Sequence, residues 1–356
     1  QTILTPTTMQ FGTIFPFVFC AMLVHGVDMA DNNTLCEPDV YNDTYPLTQP
    51  IVHQQESVKY RIGVIADLDK KSREGQKDVW ISNMRSGWLT ANLEGSRFQV
   101  EWDDETTFRS QFAYGGRGME LSDLIVFDGK LLTFDDRTGI IYRIHNNTVL
   151  PWVELNDGPG NSTKGFKAEW ASVKQKTLRV GGHGTVWVNK QGQKVSDNPQ
   201  WVKVVTPGGR VTHRFWRNNY HQLKRAAGIK TAGYITHEAV IWSPAHQQWF
   251  VLPRKASNDS YNDEEDERRC TNMLLRASSD FKDITVQHIG TLNKTRGFSS
   301  FKFIPGSQDE VAVALKAVEV GDVTETFITV FRVNDSRVLL DDEKIDDRKY
   351  EGIEFI

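Results

Sequence analysis

The sequence predicts an all-β fold, a five-bladed β-propeller with a cation site at its centre. Three observations predict it. Short β-rich runs alternate with turn residues, a strand–turn–strand unit recurs at blade-sized intervals, and each unit opens on an oxygen-bearing side chain.

The runs come first. Residues 60–66 (Tyr-Arg-Ile-Gly-Val-Ile-Ala) are rich in β-branched and aromatic side chains and lead into Asp67. Residues 79–82, 98–102, 124–127 and 201–205 have the same character. Asp128-Gly129, Pro207-Gly208 and Pro305-Gly306 punctuate them, because Gly reaches positive φ and Pro pre-sets a turn dihedral. One segment departs from the pattern. Tyr220, Leu223 and Ala226-Ala227 recur at helical spacing, which predicts a helix over residues 218–227.

Five segments open alike, on Ser122, Glu169, Glu238, Ser299 and Glu351. The first four run as a strand, turn and enter a second strand; the fifth repeats the opening strand alone. The openings are 47, 69, 61 and 52 residues apart, which suits blades with insertions. Inner strands of a propeller line a central channel, so the five side chains are expected to face one axis. Three glutamates there repel one another without a cation, and an all-oxygen donor set suits a hard ion such as Ca²⁺. Polar residues that merely end their strands would give the same spacing.

Composition narrows the classes. Of 356 residues 39% are hydrophobic and 25% charged, which excludes a disordered chain. The net charge of -4 argues against a protein that coats nucleic acid. No paired Cys/His spacing exists among Cys20, Cys36 and Cys270, so a zinc site is not expected.

The N-terminal part reads as a targeting segment. Residues 11–24 form an apolar run too short for a membrane span of ~20 residues. Met9 is the expected start, with residues 1–26 a leader and signal peptide and no stable membrane anchor. Residues 27–57 are expected to be a polar tail and residues 58–356 the propeller. Asn32, Asn42, Asn146, Asn161, Asn258, Asn293 and Asn334 each head an N-x-S/T triplet, as expected of a secreted glycoprotein. In an oxidising compartment the two cysteines left after cleavage, Cys36 and Cys270, are expected to pair.

Several long motifs carry a resemblance. They are Tyr60-Arg-Ile-Gly-Val-Ile-Ala-Asp-Leu-Asp69, Gly116-Arg-Gly-Met-Glu-Leu-Ser-Asp-Leu124, Thr133-Phe-Asp-Asp-Arg-Thr-Gly139 and Lys164-Gly-Phe-Lys-Ala-Glu-Trp170. To these add His237-Glu238, Leu252-Pro-Arg254, Gly297-Phe-Ser-Ser-Phe-Lys-Phe-Ile-Pro305 and Lys349-Tyr-Glu-Gly-Ile-Glu-Phe-Ile356. Together, from about residue 58 to the last, they resemble the calcium-activated nucleotidases, the apyrases of bed-bug and sand-fly saliva and their vertebrate relatives. The resemblance implies a five-bladed propeller with Ca²⁺ in the channel, held by Ser122, Glu169, Glu238, Ser299 and Glu351. Those are the five openings found from internal repetition.

The resemblance also implies that Asp67 and Asp136 are needed for hydrolysis. Phosphoanhydride cleavage depends on charge neutralisation and a positioned water, and a carboxylate can orient or deprotonate that water. Taken alone, each Asp reads equally as a turn residue. Arg137 and Arg254 are candidate phosphate contacts because a guanidinium grips phosphate in two places. Glu120 stands two residues before Ser122, on the same side of an extended strand, and joins them as a substrate-site candidate.

Other motifs lead nowhere in sequence. Residues 158–164 lack the Lys-Ser/Thr of a phosphate loop, His237-Glu238 is not H-E-x-x-H, and Gly181-Gly-His183-Gly lacks acidic partners nearby. The run at residues 262–269 is expected to be a solvated loop. The implied activity is a secreted, Ca²⁺-dependent apyrase, monomeric, hydrolysing ATP and ADP to AMP and phosphate, in saliva opposing platelet aggregation. The alternative is a secretory-pathway diphosphatase for UDP and GDP.

Overall fold

A computed structural model describes residues 40–53, 56–189 and 193–356. Residues 39–356 form one unit built on five antiparallel sheets. Each sheet is a blade, and each begins with one of the predicted opening strands. The inner strands are Leu121–Phe127, Trp170–Lys174, Tyr234–Ser243, Arg296–Phe303 and Tyr350–Phe355. Each touches the next around a closed ring.

Burial grades outward, as the sequence pattern requires. Every residue of Leu121–Phe127 and Tyr350–Phe355 is buried, because neighbouring blades cover both faces. The outermost strand Phe98–Ser110 alternates instead, with exposed polar residues between apolar ones. Apolar side chains between blades collect in five clusters, one per blade–blade junction. The junction of the second and third blades is aromatic: Trp170, Trp216, Trp242 and Trp249 pack there. Truncating one such buried Trp to Ala costs about 3–5 kcal/mol.

The ring is closed by joining the two ends of the unit. The last strand, Tyr350–Phe355, pairs with Ser57–Ala66 and becomes the inner strand of the blade completed by Trp80–Asn92 and Phe98–Ser110. The short strand Ile51–His53 adds to the same edge of Ser57–Ala66. Ahead of it, Tyr45 Oη donates to Glu354 at 3.0 Å, so part of the segment expected to be a tail contacts the propeller.

Side chains also lace the inner strands together. Asp123 accepts from Ala171 N (2.8 Å) in the next blade and from Ser300 Oγ (3.0 Å) in the fourth. Ser172 Oγ accepts from Trp242 N and Glu354 from Val126 N.

The helix predicted over residues 218–227 is present as Arg217–Ala226, with Tyr220 and Leu223 buried. Gly228, at φ 72°, ends it, and Lys224 and Arg225 lie in the last turn where the helix dipole favours cations. The acidic run departs from a plain loop. Residues Asp263–Asp266 form one helical turn capped by the Asn262 side chain, and Asp266 accepts from Tyr234 Oη (2.6 Å) and Lys255 (2.6 Å). Cys270 is a buried thiol, and Cys36 lies outside the described residues, as do Cys20, Asn32 and the apolar run 11–24.

Candidate active site

The five openings fall in the first half of their strands, from one residue before the start to the fifth residue within. All but the half-buried Glu238 are buried. The hydroxyls of Ser122 and Ser299 each donate to a main-chain carbonyl, Phe134 O (3.3 Å) and Tyr350 O (3.2 Å), which leaves their lone pairs free. Arg254 Nη1 donates to Glu238 (2.5 Å) and Glu351 (3.0 Å), drawing those two carboxylates together.

Around them runs a circuit of alternating charge. Lys167 bridges Asp136 and Glu169, the latter at 2.7 Å. Lys349 bridges Asp67 (2.9 Å), Asp69 (2.7 Å) and Glu351 (3.5 Å). Arg254 joins Glu351 to Glu238 and also reaches Glu319 at 3.2 Å. The carboxylates of Asp67, Glu120 and Asp136 close the circuit, with ligand oxygens all within 4.8 Å of one another.

Local structure holds this triad. Asp67 follows the strand Ser57–Ala66, and its N–H donates to Lys349 O (2.9 Å), one residue ahead of the closing strand. Glu120 sits beside Met119, which adopts φ 57°, uncommon for a non-glycine residue. Asp135 Oδ2 accepts from Met119 N (2.8 Å) and fixes that turn. Asp135 Oδ1 accepts from Arg137 N (3.0 Å), which shapes the turn presenting Asp136. Gly139 at φ 74° ends the turn, and a Cβ there would meet Leu155 O at 2.2 Å, so no other residue fits.

Electrostatics follow from this crowding. Burial, with Asp67 and Asp136 nearby, pushes Glu120 up to about 7 despite Arg117 at 2.6 Å. Burial also raises Glu169 to about 7, with Lys167 pulling down and Glu238 and Asp136 pushing up. Glu351 is held well above the usual carboxylate range by burial, Asp67 and Glu238, against Lys349 and Arg254. Burial would raise Asp67 too, but Lys349 outweighs it and holds the group below its ordinary value. Asp136 Oδ1 is buried and has no partner among the described residues.

The two candidate arginines differ. Arg254 is 4% exposed and enclosed by three carboxylates. Arg137 is more open, and among the described residues its guanidinium makes only a long 3.7 Å ion pair, with Glu120. Lys167, Lys349, Arg117, Asp69 and Glu319 were not singled out in sequence. Lys167 and Lys349 carried a signal, since each stands two residues before an opening, as Glu120 does.

A cleft of about 720 Å³ opens beside Lys167, Glu169 and Glu238. His183, Trp187, Tyr220 and Tyr261 line it, and it is large enough for the aromatic base and sugar of a small ligand. Trp187 and Tyr261 come from insertions, a short hairpin in the second blade and the loop after Gln248–Ser257.

Known proteins resemble this chain over most of its length. The family model described as Apyrase matches residues 68–356. Soluble calcium-activated nucleotidase 1 of Mus musculus is 50% identical over 317 residues, 89% of this chain and 78% of that protein. The apyrase of Cimex lectularius is 42% identical over 319 residues, 88% of this chain and 87% of the relative. The apyrase of Phlebotomus duboscqi is 38% identical over 298 residues, covering 83% and 88%. The match takes in the whole charged circuit except Asp67, one residue ahead of it, and on that extent the chain belongs to the apyrase family.

Proposed function

We propose that this chain is a Ca²⁺-dependent nucleotidase that hydrolyses ATP and ADP stepwise to AMP and phosphate. The observation that carries the proposal is the triad of Asp67, Glu120 and Asp136, linked through Lys167, Lys349 and Arg254 to Glu169, Glu351 and Glu238, in a chain of the apyrase family. The donor set fits a hard cation. It is all oxygen, and the two serine hydroxyls, each donating to a main-chain carbonyl, keep lone pairs that accept nothing among the described residues. Ser122, Glu169, Glu238, Ser299 and Glu351 would hold the ion, which when bound would supply positive charge against the phosphate oxygens.

The chain's own residues would do the rest. Asp136, with one oxygen on Lys167 and the other unpartnered, is the group suited to orient the attacking water and accept its proton. Asp67, kept ionised by Lys349, would fix the other side of the site. Arg137, the less committed arginine, would grip the terminal phosphate, and Glu120 would hold Arg117 and Arg137 in place. Arg254 would order Glu238 and Glu351 more than it touches phosphate. The cleft with Trp187 and Tyr261 would take the nucleoside.

The protein would act outside the cell, in saliva opposing platelet aggregation. Six described sequon asparagines are exposed, which supports passage through the secretory pathway: Asn42, Asn146, Asn161, Asn258, Asn293 and Asn334. No helix among the described residues is long and apolar enough to cross a membrane. Phosphate release from ATP, ADP, UDP and GDP, with AMP identified as end product, tests the proposal. Turnover of ADP above UDP fits it, a strong UDP and GDP preference moves the role to glycosylation, and no release from any nucleotide overturns the activity.

A further inference from the structure

His183 stands in the cleft wall with a hydrogen-bond donor that meets no acceptor among the described residues. The loop that carries it is tightly held. Gly182 O accepts from Trp170 Nε1 (3.1 Å) and Tyr220 Oη (3.0 Å), Gln200 Nε2 donates to Gly184 O (3.1 Å), and His237 N donates to His183 O (3.0 Å). The residue is 7% exposed, and its ring packs edge-on with Trp187, centroids 4.9 Å apart.

Its tautomer follows from its contacts. Thr185 N–H donates to Nδ1 at 3.3 Å, so the proton of the neutral ring sits on Nε2. Burial, with Lys167, His237 and Lys164 nearby, pushes the imidazole down to about 3, so the ring is neutral throughout the working range. Nε2 is buried and has no partner among the described residues. A buried donor left unmet weakens the fold, and native proteins rarely keep one without a ligand or water to answer it. His183 lines the same cleft as Lys167 and Glu169 of the charged circuit and Trp187 and Tyr261 of the aromatic wall.

We propose that His183 is a specificity residue whose Nε2–H donates to an acceptor oxygen or nitrogen on the nucleoside part of the substrate. The proposal rests on the nucleotidase reading above. A neutral donor suits a ribose hydroxyl or a base acceptor, while the phosphates have the cationic groups of the circuit to meet them. His183 therefore acts on which nucleotide is held, and the bond-breaking groups act elsewhere.

The test compares wild type with His183→Leu, which removes the donor, and His183→Gln, which keeps one. Wild-type phosphate release from ADP and from UDP is measured first, and no release from either overturns the nucleotidase reading and this proposal with it; where only UDP is turned over, UDP replaces ADP below. Given turnover, His183→Leu is expected to raise KM for ADP about tenfold, the scale of one lost hydrogen bond, with kcat within about twofold. His183→Gln is expected to recover most of that loss, and pyrophosphate, which has no nucleoside, is expected to lose far less inhibitory potency than ADP loses in KM. An unchanged KM in His183→Leu overturns this proposal alone. So does an equal loss for pyrophosphate, or a fall in kcat that His183→Gln does not restore.

Discussion

Lys349 grips Asp67 twice: its carbonyl accepts from Asp67 N at 2.9 Å, and its ammonium lies 2.9 Å from Asp67 Oδ2. Asp67 follows the strand that opens the propeller, and Lys349 leads into the strand that closes it. The contact that joins the two ends of the propeller therefore also fixes Asp67 in the site.

Lys349→Met removes the ammonium and leaves Asp67 and Glu351 buried without that partner. Breaking a buried pair from one side costs about 3–5 kcal/mol. Urea unfolding in calcium-free buffer should show a loss of that size, and activity assayed with Ca²⁺ should fall. A midpoint unchanged from wild type would mean that the charge on Lys349 does not hold the closure.

Asp136→Asn and Glu169→Gln should separate chemistry from ion binding. Asp136→Asn keeps the size and removes the charge of the water-handling group, so kcat should fall at least about a hundredfold at any Ca²⁺ concentration. Glu169→Gln weakens the channel ligands, so more Ca²⁺ should be needed and high Ca²⁺ should partly restore activity. Parallel Ca²⁺ titrations decide it. Identical responses would make Asp136 part of the metal site.

Glu354 gives a pH prediction away from the catalytic cluster. Burial pushes its carboxyl up to about 7, against Lys302 and the N–H groups of Phe355 and Val126. The folded state therefore binds its proton more tightly than the unfolded chain does. Its contribution is greatest at low pH and is lost as pH rises from about 4.5 to about 7. Glu354→Gln cannot ionise, so its stability should gain on wild type by roughly 2 kcal/mol between pH 5 and pH 8. A constant offset from the altered hydrogen bonds is expected and does not affect this slope. A difference that stays flat across that range would contradict the shift.

The blades were legible because each opening pairs a polar side chain with a following apolar strand, and because strand period and turn residues are local signals. Glu120 was found by asking what shares a side with Ser122. The same question put to Glu169 and Glu351 leads to Lys167 and Lys349, whose bridging role only the fold makes plain. Trp187 and Tyr261 carried no such signal. They sit on insertions in different blades, and their convergence on one cleft depends on the angle between sheets, which no local pattern encodes. Tyr45 belongs with them, since its partner Glu354 lies 309 residues away. The acidic run at 262–269 looked solvated by composition, yet Asp266 is drawn in by Tyr234 and Lys255 from the third blade.

The central claim is that an all-oxygen channel site makes hydrolysis depend on Ca²⁺. The direct test is phosphate release from ADP after dialysis against EDTA, then with Ca²⁺ or Mg²⁺ restored. Activity should vanish on dialysis and return with Ca²⁺, while Mg²⁺, which demands a tighter octahedral shell, should restore little. Activity that survives dialysis, or that Mg²⁺ restores in full, would contradict the account.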